Sequence, residues 1–320
     1  MPGYSSRHLL FLQKGREVML PTLSKNNTLA KRKALWAYAF LAVPLVFYSI
    51  IRIYPAFSAF YLSLTDWDII SSKKDFIQFA NYQRMFQDKL FWKTFGNTIK
   101  YVVFGLPISL LIGFILAYNI DRLDVTADLY KAVYFLPYIT SMVAAAWVWR
   151  WFFQPAPIGV FNNILTVLDL PNRKFLSSPK EALFSILTMT IWADVGFQML
   201  IFLAGLKNIP AQYYEAAKID GANNWQLLVR ITLPMIRGTF IFLLITGTIR
   251  YLRIFTQVLN MTTQGDGGPL NSTKPLVLYI YDNAFNKFEM GYASAMTVFL
   301  FVFILMITLF QMKVTKDEDA

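Results

Sequence analysis

Residues 213–234 read YYEAAKIDGANNWQLLVRITLP, a polar, helix-prone stretch lying between two long apolar runs. Pro210, just ahead of it, suits a first helical turn, and residues 211–219 tolerate helix. Gly221 fits the left-handed residue that closes a helix, Asn223 or Asn224 can cap the next, and Pro234 opens the following apolar run. The stretch therefore predicts a helix, a sharp turn and a second helix at a membrane face. Small Ala216 and Ala217 beside Glu215 allow another surface to come close, whereas a helix resting on lipid would carry bulkier apolar residues. An ordinary amphipathic connector is the competing reading of the same composition.

What surrounds this stretch sets the solvent. The 320 residues are 56% hydrophobic, 17% aromatic and only 15% charged, which describes a chain that lives in a bilayer rather than a soluble domain. With no Cys and a single His, disulfides, thiolate metal sites and thiol catalysis are excluded, and imidazole chemistry has almost no material. The net charge of +11 does not indicate nucleic acid, because much of the excess sits in residues 1–33, where Arg7, Lys14, Arg16, Lys25, Lys31, Arg32 and Lys33 face the single acid Glu17.

A span needs roughly 20 helical residues, and six apolar runs are long enough: Ala34 to Tyr54, Thr98 to Ile120, Lys131 to Phe153, Leu183 to Leu206, Met235 to Val258 and Met290 to Met312. Unbroken runs of this length predict helices, since barrel strands alternate over about half that length. The expected fold is thus an all-α membrane protein of about six transmembrane helices, with a hairpin between the fourth and fifth. Residues 1–33 form a basic amino-terminal segment, 34–313 the membrane domain with its hairpin loop at 208–234, and 314–320 a short tail. A basic flank ahead of the first span reads as cytoplasmic, and an even number of spans puts both termini and the hairpin on that side. Elsewhere the charge bias is weak: Arg122 stands among Asp121, Asp124 and Asp128, and Lys73, Lys74, Arg84, Lys89 and Lys93 follow the first span. The first run is too long for a signal-peptide core and follows about thirty polar residues, so no cleavable signal is expected.

The spacing of the hairpin goes further than its composition. Glu215-Ala216-Ala217, three residues, Gly221, nine residues and then Ile231-Thr232-Leu233-Pro234 resembles the EAA signature of binding-protein-dependent ABC importer permeases, in the sugar-importing branch. IFLAGLKNIPAQYYEAAKIDGA (201–222), TTQGDGGP (262–269) and YFLPYITSMVAAAWVWRWFF (134–153) are similar to that branch's approach to the loop, its Gly-Gly-Pro element and its third span. The likeness covers roughly Leu41 to Lys313, with Leu228 standing where many relatives have Phe. It implies the type I importer permease fold in a bacterial cytoplasmic membrane, with a hairpin that inserts into a separate ATPase subunit. Glu215, Ala216, Ala217, Asp220, Gly221, Leu233 and Pro234 would be the coupling residues. It also implies the partners: a second, non-identical permease subunit, two ATPase subunits that bind ATP and Mg, and a soluble substrate-binding protein. The chain itself is expected to hold no cofactor and no metal and to catalyse nothing. No G-x-x-x-x-G-K-[S/T] cradle occurs, the GPLNST before Lys274 lacking the spacing.

Charged residues inside spans are costly and by default mark a pathway or a pair. Asp194 falls in the fourth span and Arg250 and Arg253 in the fifth, at similar depths in the middle-to-outer membrane, so a carboxylate and a guanidinium can meet. Three readings stand: a structural ion pair, an arginine snorkelling to the outer surface, or two guanidiniums against one carboxylate leaving a positive cavity for an anionic sugar such as a uronate oligosaccharide from alginate. For a definite test, Arg253 is taken as the partner of Asp194 and Arg250 as the sugar ligand, with exchange of the two left open. Arg250 and Tyr251 lie one turn from Gly247, which the resemblance places near the sugar. Trp147, Trp149, Trp151 and Trp192 can stack on sugar rings or anchor the interface, Arg150 reads as another anchor, and Trp67 and Trp92 read as structural parts of the first external loop. An ATP-independent secondary transporter or channel for a small polar solute is the alternative; it lacks a repeat between halves and gives the hairpin no purpose. A membrane-embedded enzyme would need a cluster of acids or histidines that the sequence does not show.

Overall fold

The computed structural model describes residues 26–70, 73–123 and 125–316; most of the basic amino-terminal segment and the last four residues of the tail lie outside the described residues. The chain divides into two compact units, residues 1–58 and 59–320. In the first, α1 (Asn26–Tyr48) runs into a π-turn (Ser49–Ile53) and the first turn of α2 (Tyr54–Leu62), whose last four residues belong to the second. Trp36, Phe40, Val43 and Phe47 are each more than 60% exposed. A helix apolar on every side suits lipid rather than a core of its own.

The second unit continues with α3 (Ala80–Gln87), α4 (Lys89–Lys100), α5 (Leu106–Ile120), α6 (Ala127–Ile139), α7 (Met142–Phe152), α8 (Val160–Val167), α9 (Ala182–Lys207), α10 (Ala211–Ile219), α11 (Asn224–Leu227), α12 (Leu233–Met235), α13 (Arg237–Leu252), α14 (Thr256–Met261), α15 (Leu276–Tyr281) and α16 (Met290–Lys316). Among the described residues no strand forms, and a single bridge joins Thr65 to Phe76. Helix α9 is the axis of this unit. It is apolar all round and packs against α5, α6 and α13, burying Ile186, Met189, Met199 and Phe202 almost completely. Small residues set the spacing: a methyl group on Gly196 would collide with the Tyr134 carbonyl and lie 2.8 Å from the Phe135 Cα, so α6 crosses α9 with backbone nearly touching backbone.

Among the described residues four helical runs are long and apolar enough to cross a membrane, Lys31–Leu62, Lys89–Ile120, Ala182–Lys207 and Met290–Thr315, and the number is six if each of two bent pairs is one span. The order matches the expected spans; two of them are not straight. The third breaks by 95° between α6 and α7. Pro137 cannot donate an amide, and the extended backbone of Thr140 and Ser141 ends one helix and starts another. The fifth bends by 63° between Met235 and Arg237, and α13 stops at Leu252 instead of continuing to Val258.

A polar knot ties the start of the second span to the sixth. Asp88 caps α4 by accepting from the Leu90 amide (2.8 Å). Its other oxygen accepts from the hydroxyls of Tyr279 (2.5 Å) and Tyr292 (2.8 Å). Burial raises the Asp88 carboxyl, but these donors outweigh it and hold the group below the usual carboxylate range. A depressed carboxylate stabilises above its unfolded pKa, and that contribution is lost as pH falls through the folded one. Asp88→Asn keeps the cap through its one carbonyl oxygen, but it removes the charge and puts an NH2 donor where the other oxygen accepted from both hydroxyls. Its thermal midpoint in detergent should lie below wild type at neutral pH, with the gap closing below about pH 4; a gap constant with pH would show that the charge contributes nothing.

Candidate functional site

The hairpin forms as its residues dictate. Pro210 is the cap of α10 rather than a residue of its first turn. At the other end Gly221 adopts φ +80°; its amide donates to the Lys218 carbonyl (3.1 Å) and the Ala222 amide to the Ala217 carbonyl (2.9 Å), the paired bonds of a Schellman closure. The turn then passes directly into a capping box. The Gln226 amide donates to Asn223 Oδ1 (2.9 Å), and the Asn223 amide donates to Gln226 Oε1 (2.8 Å). Both helix ends are thus satisfied by the loop itself, which makes the hairpin stiff.

Beyond α11 a π-turn (Leu228–Thr232) leads into α12, which carries Leu233 and Pro234, and then to the 63° bend. The coupling residues expected from sequence divide into two places. Glu215, Ala216, Asp220 and Gly221 are exposed on α10 and its turn, with Ala217 half-buried; Leu233 and Pro234 are exposed at the hinge where the fifth span begins. The sequence reading missed the apolar part of this surface: Ile219 is 86% exposed and Trp225 70%, on either side of Gly221. A large apolar side chain so bare on a rigid polar hairpin signals a protein contact.

In the membrane the Arg250 Nη1 donates to Asp194 Oδ1 at 2.8 Å, with the Asp194 side chain nearly inaccessible and that of Arg250 about half-buried. The guanidinium also lies over the rings of Tyr138 (5.4 Å) and Phe197 (5.0 Å), which stack on each other at 4.9 Å. Three groups on α6 and α9 therefore fix one arginine of α13. The expected assignment of Arg253 to Asp194 is corrected: α13 has already ended at Leu252, and Arg253 is its exposed C-cap. Gly247 is buried against Leu106, and Tyr251 is fully buried. Next to them the Gln198 amide donates to Ser109 Oγ (2.9 Å), and that hydroxyl donates to the Leu106 carbonyl (3.0 Å). Asp194, Gly247, Arg250 and Tyr251 are thus brought together, with Tyr138, Phe197, Gln198 and Ser109 added, while Arg253 stands apart.

Of the tryptophans, Trp149 and Trp192 approach to 5.5 Å beside a cavity of about 280 Å³ lined also by Thr140, Ala144, Val148 and Phe152. Trp147 lies under the Arg150 guanidinium (4.9 Å), as an anchor pair would. Lys274, which follows the Gly-Pro loop, is paired with Asp282 at 2.5 Å.

Residues 91–316 match the family described as binding-protein-dependent transport system inner membrane component. The chain is 33% identical to the probable ABC transporter permease protein YesP of Bacillus subtilis, over 91% of this chain and 94% of that one. To the lactose transport system permease protein LacF of Rhizobium radiobacter it is 33% identical, over 85% and 89%. Its fold resembles a chain in the crystal structure of a bacterial alginate ABC transporter in complex with an alginate pentasaccharide-bound periplasmic protein, with a TM-score of 0.78, 24% identity and coverage of 90% and 96%. A helical membrane chain with a stiff capped hairpin between its fourth and fifth spans, so matched, belongs to the binding-protein-dependent transport system inner membrane component family as an ABC transporter permease.

Proposed function

We propose that this permease is one of two non-identical membrane subunits that import an oligosaccharide by alternating access, with both termini and the hairpin in the cytoplasm. ATP and Mg are bound by two partner ATPases, and a soluble binding protein delivers the sugar on the other side. The observation that carries this reading is the hairpin: capped on both sides of its turn, exposed at Glu215, Ala216, Ile219 and Trp225, and joined to the fifth span at a bend. A floppy loop would absorb the motion of an ATPase; a stiff one transmits it.

Carbohydrate as cargo is supported by the printed names of relatives, among them lactose and diacetylchitobiose permeases. The aromatic rings around Arg250 suit a sugar, and a guanidinium with five N–H donors can serve a carboxylate or a hydroxyl besides Asp194. Because Asp194 neutralises Arg250, an acidic sugar would depend on Arg253 as the second positive group. Uronate oligosaccharide is the finer reading, and a neutral oligosaccharide the competing one.

The test is uptake into vesicles by the complete complex. ATP-dependent uptake is expected, with no uptake by this chain alone, and a uronate oligosaccharide should compete with the labelled cargo better than a neutral one of equal length. Uptake by the isolated chain without ATP would replace the importer by a secondary carrier. Better competition by the neutral sugar would remove the acidic reading only.

A further inference from the structure

The hairpin has a cross-brace that joins a residue just ahead of its Glu-Ala-Ala run to the buried threonine of its Ile-Thr-Leu-Pro end. Tyr214, on the inner side of α10, reaches eighteen residues along the chain, and its hydroxyl lies 3.0 Å from Thr232 Oγ1. Thr232 is 1% exposed and is the last residue of the π-turn. Its own hydroxyl proton goes to the Leu227 carbonyl at 3.2 Å. With that proton committed, Thr232 Oγ1 can only accept from Tyr214, so the bonds run in one direction: Tyr214 O–H to Thr232 O–H to Leu227 C=O. The Tyr214 ring meanwhile packs against the main hydrophobic core.

A π-turn holds one extra residue per turn and is a point where a helix yields. Without a brace, a load on Ile219 or Glu215 would reach α13 only along the backbone of the Gly221 turn and then through the π-turn, the compliant element of the path. The bridge closes α10, α11 and the π-turn into a triangle that moves as one body and delivers displacement to the bend ahead of Arg237. We infer that Tyr214 and Thr232 are positioning residues for energy coupling: their hydrogen bond, and not only the signature residues on the exposed face, makes the hairpin a lever. This inference rests on the proposed role of the hairpin.

The experiment compares Tyr214→Phe, Thr232→Val and the double variant in the reconstituted complex, reading sugar imported per ATP hydrolysed alongside the amount of ATPase subunit that co-purifies. Each single variant should lower import per ATP by about five-fold, the equivalent of one hydrogen bond, with the ATPase still bound. The double variant should be no worse than either single one, and Thr232→Ser should restore coupling. Additive losses, or unchanged import per ATP in both single variants, would overturn the brace. Should Tyr214→Phe not assemble, Thr232→Val against Thr232→Ser decides alone. The two readings fail differently: a wild-type complex whose hydrolysis and uptake are unlinked removes the coupling role, whereas a coupled wild type with equally coupled variants removes only the brace.

Discussion

Arg250→Gln is expected to lower both the yield of folded permease and its sugar uptake. The substitution strips the nearly inaccessible Asp194 carboxylate of its 2.8 Å partner. Removing one member of a buried pair costs roughly 3–5 kcal/mol, because the remaining charge has neither water nor counter-charge. Arg250 is about half-buried, so solvent screening puts the loss toward the lower end of that range. A further change of Asp194→Asn should recover most of the yield by removing the stranded charge. It should not recover uptake, since the guanidinium that faces Tyr138 and Phe197 stays absent. Arg253→Gln should be close to wild type in yield, because Arg253 lies exposed beyond the helix end. Fluorescence-detected size exclusion measures the yield and vesicle uptake the activity. Damage from Arg253→Gln with none from Arg250→Gln would reverse the pairing.

Gly221→Val should abolish uptake while leaving the spans assembled. Nothing lies within 4 Å of a Cβ built at this position, so the substitution meets no clash. The whole cost is conformational: φ is +80°, where an L-residue loses about 1–2 kcal/mol and a β-branched one more. The turn escapes by moving toward negative φ, which pulls the Gly221 and Ala222 amides off the Lys218 and Ala217 carbonyls and swings α10 away from α11. Gly221→Asn tolerates the left-handed region and should keep much of the activity. Uptake and substrate-stimulated ATP hydrolysis at wild-type levels in the valine variant would exclude this hairpin from coupling.

Local chemistry was the most legible part of the sequence. Pro210, Gly221 and Asn223 carry their geometry in their own side chains or lack of one, so the two helices and the turn could be placed from residue types within about fifteen positions, although the Gln226 half of the capping box was not read. The approximate spans were legible for the same reason, since length and apolarity are additive. Helix ends inside the bilayer were not. Residues 250–258 carry no Gly or Pro to mark the end of α13 at Leu252, and Ile254, Phe255 and Val258 keep the run apolar on either side of its polar residues, so on sequence Arg253 is as good a partner for Asp194 as Arg250. The break at Thr140 and Ser141 had one local sign, Pro137. The knot around Asp88 had none, because Tyr279 and Tyr292 are brought to it from 191 and 204 residues away. The Tyr214 brace was invisible because a tyrosine on a helix and a threonine before Leu-Pro have no fixed separation by which to recognise each other.

The right-angled break in the third span also bears on which flank of the molecule can meet lipid. Its two pieces hold 13 and 11 residues, about 20 and 17 Å at 1.5 Å per residue, and neither alone crosses a hydrocarbon layer about 30 Å thick. Working together as one span, they put the peptide groups of Thr140 and Ser141 at a depth where acyl chains offer no hydrogen-bond partners, and both residues are exposed on this chain. Irregular backbone at such depth survives only against protein or beside water. The flank of the permease bearing Thr140 and Ser141 is therefore turned away from the acyl chains, toward either a neighbouring subunit or a hydrated passage.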